Sequence, residues 1–104
     1  MGDAGSAQAR FDRAVKTGNV VGAELAAREL GRLGLLDAAA LCGLLARTDP
    51  ERFERAARRW LLRYIHERQP ALAEIALASA ALAELRHGRR RSGEAALARL
   101  LGRN

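Results

Sequence analysis

Apolar residues recur at every third or fourth position through most of the chain, the spacing of one helix face, and polar punctuation divides them into six runs. Ser6 is placed to cap a first helix running to about Thr17, where Gly18 can supply the left-handed residue beyond the last turn. Asn19 caps a second helix, with Val21, Leu25, Leu30 and Leu33 on one side and Glu24, Arg28 and Arg32 on the other. A third helix opens at Gly34 or Asp37 and carries Leu41, Leu44 and Leu45. The connection between the second and third is short enough to predict an antiparallel hairpin.

Thr48-Asp49-Pro50-Glu51 is the sharpest local signal. Asp49 suits an N-cap, Pro50 the first helical position, and Glu51 the positive end of the helix dipole. The fourth helix extends to about Arg68. Pro70 ends it and starts a fifth, whose Ala/Leu-rich sequence reaches about Arg86. Residues 87–93, with Arg89-Arg90-Arg91, read as a basic loop, and Ser92 as the cap of a short sixth helix ending near Leu101.

Composition agrees with helices and against sheet. Ala (23) and Leu (17) dominate the 104 residues, whereas Val, Ile, Thr, Phe, Tyr and Trp total 11. The expected fold is all-α: one domain over residues 1–104, a compact bundle of five to six short antiparallel helices, with helical-repeat-like hairpins and a flexible start at residues 1–5.

Charge is uneven. Residues 1–49 are neutral overall, residues 50–69 carry +3, residues 70–85 carry −2 and residues 86–104 carry +5, which gives the net +6. Seventeen of the 18 bases are Arg, a bias that GC-rich coding and phosphate binding both account for. Cys42 is the single cysteine, which excludes an intrachain disulfide and gives no sign of an oxidising compartment. The opening residues lack a basic segment followed by an apolar one, and residues 70–85 are too short and too acidic to span a bilayer. The expected setting is the cytoplasm, without membrane association.

The inventory for chemistry is poor. His66 and His87 lie 21 residues apart and Cys42 sits on another helix, so no close pair of metal ligands exists. Ser6, Thr48 and Ser92 fall at helix starts, where capping explains them, and no nucleophile–base pair occurs at helical spacing. No catalytic residue, cofactor, metal or small-molecule substrate is expected.

The fourth helix holds the arrangement with a functional reading. At 100° per residue Phe53, Ala57, Trp60, Leu61 and Tyr64 share one arc, while Arg52, Arg55, Arg59, Arg63 and His66 form a stripe opposite. Glu51 can pair with Arg55 and Glu54 with Arg58, leaving Arg52, Arg59 and Arg63 without an intrahelical partner. Joined by Arg89, Arg90 and Arg91, this stripe would be wide enough to meet phosphates; otherwise it is a solvated face. Phe53, Trp60 and Tyr64 are core anchors, or the hot spot of a partner interface.

Two resemblances follow from these residues. Asn19 to Pro50 has the length and hairpin-then-Pro layout of a tetratricopeptide-like unit, though few of that repeat's aromatic and Gly positions match. Residues 41–60, LCGLLARTDPERFERAARRW, resemble the central block of a group of short helical actinobacterial proteins, in which an Ala/Leu helix leads through Asp-Pro into a Phe-Glu-Arg-Ala-Ala…Trp helix. That resemblance implies a helical fold in a bacterial cytoplasm and no activity. The sequence thus leads to a small helical protein-interaction module, self-associating and non-catalytic. The alternative is a nucleic-acid-associated accessory protein that binds phosphates through its Arg-rich face.

Overall fold

The computed structural model describes residues 5–102. Six helices form: α1 (Ala7–Thr17), α2 (Val20–Leu30), α3 (Leu35–Thr48), α4 (Pro50–Arg68), α5 (Leu72–Arg86) and α6 (Arg90–Leu101). No strand occurs among the described residues, and the all-α expectation holds. The proposed flexible start lies outside the described residues except for Gly5. The chain divides into two units, residues 1–34 and residues 35–104.

The first unit is the α1–α2 pair, and local chemistry sets its turn. The Ser6 hydroxyl oxygen accepts from Ala9 N at 3.1 Å, and Asn19 Oδ1 accepts from Gly22 N at 2.9 Å. Gly18 takes φ 80°, a conformation that glycine adopts without the steric cost of a Cβ. The buried face of α2 differs from the expected one. Ala23 and Ala26 are inside with Phe11 and Ala14 of α1, while Val21 is 69% and Leu25 54% exposed. A two-residue connection holds paired helices close, and small side chains suit the side of closest approach. The pairing also differs: α2 pairs with α1 and α3 with α4, so the expected hairpin of residues 19–50 straddles the boundary between units.

The second unit is a four-helix bundle in which α3 packs on α4, α5 and α6, and α5 on α4 and α6. Its core comprises Leu35, Leu44, Leu45, Phe53, Trp60, Tyr64, Leu82, Leu85, Leu97 and Leu100, with Ala filling narrower gaps. Asp49 Oδ1 accepts from Arg52 N at 3.4 Å with Pro50 at the first position, as the sequence predicts. Trp60 stacks on Tyr64 with ring centroids 5.3 Å apart, and its Nε1 donates to the Leu35 carbonyl at 2.8 Å. That bond ties the middle of α4 to the first turn of α3.

The 87–93 loop is shorter than expected. Helix α6 begins at Arg90, and Ser92 lies inside it with its hydroxyl donating to Glu84 Oε1 at 3.3 Å. The reason lies one residue further on. Gly93 is buried against α5, and a Cβ there would stand 2.7 Å from the Ala81 carbonyl oxygen and 3.0 Å from a Leu85 methyl. The α5–α6 pair therefore meets at backbone contact.

Two stability changes follow. Trp60→Ala should cost about 3–5 kcal/mol in chemical denaturation, and Trp60→Phe, which strands the Leu35 carbonyl and removes only part of the ring volume, about 1–3 kcal/mol. Gly93→Ala should destabilise by about 1–3 kcal/mol through overpacking, although helix propensity alone would stabilise by about 1 kcal/mol. A gain in denaturation midpoint for Gly93→Ala would refute the close contact.

Candidate functional site

Helix α4 sorts its faces as its sequence predicts, with Phe53 2%, Trp60 3% and Tyr64 2% exposed. These three aromatics belong to the core, and an interface role for them falls away. The opposite stripe is less uniform than expected. Arg55, Arg59 and His66 are exposed, whereas Arg52 and Arg63 are half-buried. Arg63 Nε donates to Glu67 Oε2 at 2.6 Å across one turn, so Arg63 has the intrahelical partner that the sequence reading denied it. Glu67 lies four residues on the C-terminal side of Arg63, whereas Glu51 and Glu54 precede their arginines.

A second group of arginines gathers at one end of the bundle. Antiparallel packing brings the last turns of α3 and α5 to the first turns of α4 and α6. There Arg47, Arg86, Arg89, Arg90 and Arg91 line a recess of about 600 Å³ without a carboxylate among the described lining residues. Arg89 is ion-paired with Glu84 across the α5–α6 turn, which holds that carboxyl below the usual carboxylate range, the Arg89 hydrogen bond being the main cause. Arg90 Nε stands 3.8 Å from Glu94 Oε2. Arg47 and Arg86 were not singled out from sequence. Their signal is positional: each is the basic residue of a final helical turn, and consecutive antiparallel helices put alternate ends together.

A third feature is a groove of about 760 Å³ along α5 and α6, with Leu77, Ala80 and Ala83 on one wall, Ala95 and Ala96 on the other, and Glu84, His87, Arg89, Ser92 and Arg99 also lining it. Helix α5 is apolar on nearly every side, interrupted by Glu74, Ser79 and Glu84. Only its Ala78, Ala81, Leu82 and Leu85 are buried, and Leu72 is 84% and Leu77 52% exposed. No group of three His, Cys, Asp or Glu side chains converges among the described residues, and no described helix is long and apolar enough to cross a membrane.

Cys42 is buried on α3, 4% exposed. Burial pushes its thiol up from 9.0 to about 11, opposed by the charge of Arg59. Below pH 9 folded and unfolded thiols both keep their proton. Between 9 and 11 the unfolded thiol ionises while the folded one resists, so this group's effect is to lower stability as pH rises through that window. The parent should lose about 2 kcal/mol more than Cys42→Ala across it, read from denaturation at each pH. At neutral pH the parent thiol should react with a disulfide reagent only as fast as the fold opens.

Comparison with known proteins returns no matching family, no matching curated protein and no matching solved structure.

Proposed function

We propose that the chain is a small protein-interaction module of the cytoplasm, without catalysis, that self-associates through the outer face of α5. The observation that carries this reading is the mismatch between the composition of α5 and its burial. A helix apolar all round belongs in an interior, yet one side of α5 faces solvent. On that side Ala73, Ala76, Ala80 and Ala83 are exposed at alternating steps of three and four residues, flanked by Leu72 and Leu77.

The occupant that fits such a seam is the same seam on a second copy. Steps of three and four residues are those of a heptad, in which one helix offers a continuous line to another. Alanine along that line lets two helix axes approach to about 8 Å, the low end of helix packing distances. A twofold axis through the middle of α5 makes the contact self-complementary, with the leucines of each copy closing over the edges of the seam. With only four aromatic residues in the chain, the core of each copy is modest, and burying this face adds apolar area that the monomer lacks.

Sedimentation equilibrium tests the reading. The parent should form a dimer at micromolar concentrations, and the double variant Leu72→Glu, Leu77→Glu should be a monomer of unchanged helicity. Both leucines are largely exposed in the single chain, so their replacement leaves the core intact. A parent that stays monomeric at high micromolar concentration, or a dimer that survives both substitutions, would overturn self-association through this face.

A further inference from the structure

Five arginines from α3, α5 and the start of α6 meet at the end of the bundle opposite the chain's last helical turn. Arg89 and Arg90 have acidic partners in Glu84 and Glu94. Arg47, Arg86 and Arg91 make no ion pair among the described residues, and Arg47 and Arg91 reach the recess from different helices. Arg86 also lines a second recess of about 290 Å³ on the α4 side, with Arg58, His87 and Glu54. The basic surface therefore runs on past one pocket into the next, with Arg86 between them. Among the described lining residues the first recess has no carboxylate and no aromatic ring, while the second has Glu54 and the exposed imidazole of His87, Phe53 at its floor being buried.

We propose that this end of the bundle binds the phosphodiester backbone of a nucleic acid without reading its sequence. Guanidinium groups match phosphate oxygens in pairs of parallel hydrogen bonds, and a line of them across adjoining recesses fits successive phosphates better than one compact anion. Stacking a base needs an exposed aromatic face, and reading a base edge needs Asn, Gln or Arg aimed into a groove; a shallow recess of arginines with Ala and Gly walls supplies phosphate contacts alone. The first turn of α6 has no side-chain cap and no acidic residue of its own, and Glu84 of α5 meets it only through Arg89 and Ser92, so the positive end of the helix dipole adds to the basic character of this end. The first recess shares no residue with the α5 seam, and the second shares only Ala83 at the end of it, so Arg47 and Arg91 stay accessible in the proposed dimer.

Fluorescence anisotropy with two labelled duplexes of unrelated sequence, about 20 base pairs each, tests it over about 50–200 mM salt. Expected are equal affinities for both duplexes and a steep fall with salt. The triple variant Arg47→Gln, Arg86→Gln, Arg91→Gln should bind more weakly and lose about 2–3 units of salt slope, near one per lost phosphate contact. Arg55→Gln with Arg59→Gln, on the outer stripe of α4, should keep the parent slope. If the triple variant unfolds, Arg91→Glu alone, at an exposed position of α6, should weaken binding at low salt. No binding by the parent, an unchanged slope in the triple variant, an unweakened Arg91→Glu, or an equal loss in the α4 variant would overturn the proposal. So would displacement of the duplex by micromolar pyrophosphate, which would mark a site for a small anion.

Discussion

The contact between Gly93 and the Ala81 carbonyl governs more of this molecule than its size suggests. With no side chain at Gly93, α6 lies directly on the backbone of α5, and a Cβ would stand 2.7 Å from that oxygen. Such an approach fixes the rotation of α5 about its own axis. Ala78, Ala81, Leu82 and Leu85 turn inward, and Ala73, Ala76, Ala80 and Ala83 are left on the outside. It also fixes where α6 begins, because Gly93 must already be helical to reach α5. Arg90 and Arg91 are thereby drawn out of a loop and into a first helical turn. The outward face of α5 and the helical placement of Arg90 and Arg91 both go with one close packing between two helices.

What the sequence made legible was decided locally. Ser6, Gly18, Asn19 and the Asp49-Pro50 pair act within a turn of their own position, and the structure uses each as expected. The core arc of α4 was legible for the same reason, since large aromatics at helical spacing define one side without reference to neighbours. The misreadings arose where a partner helix decides. In α2 the larger side chains marked the expected buried side, but Ala23 and Ala26 are the residues inside, because the tight turn after α1 rewards small residues. Ser92 looked like a cap because hydroxyl residues cap helices. Its hydroxyl instead donates to Glu84, a residue eight positions earlier that only the α5–α6 turn brings near.

The candidate basic site shows the same division. A helical wheel finds charges that share one helix face, and so it found Arg52, Arg55, Arg59 and Arg63. It cannot find charges that share one end of a bundle, because Arg47, Arg86 and Arg91 belong to three helices. Knowing the antiparallel order is enough to recover them: the last turns of α3 and α5 must meet the first turns of α4 and α6. Only Arg89, Arg90 and Arg91 of the basic end were visible as a run.

The energetics of that end distinguish its arginines from one another. Arg47 and Arg86 sit in the final turns of α3 and α5, where a cation stabilises the helix dipole by about 0.3–1 kcal/mol, so the fold alone accounts for them. Arg90 and Arg91 sit in the first turn of α6, where the same dipole opposes a positive charge by a comparable amount. Glu94, one turn along, offsets part of this for Arg90 at 3.8 Å. Arg91 has no such compensation among the described residues, and Arg47 and Arg86 at the same recess add like-charge repulsion. An anion at the recess would meet the α6 dipole and the guanidinium groups of Arg47, Arg86 and Arg91 with opposite charge, and the proposed phosphate contact would thereby offset the dipole and like-charge terms that oppose Arg91.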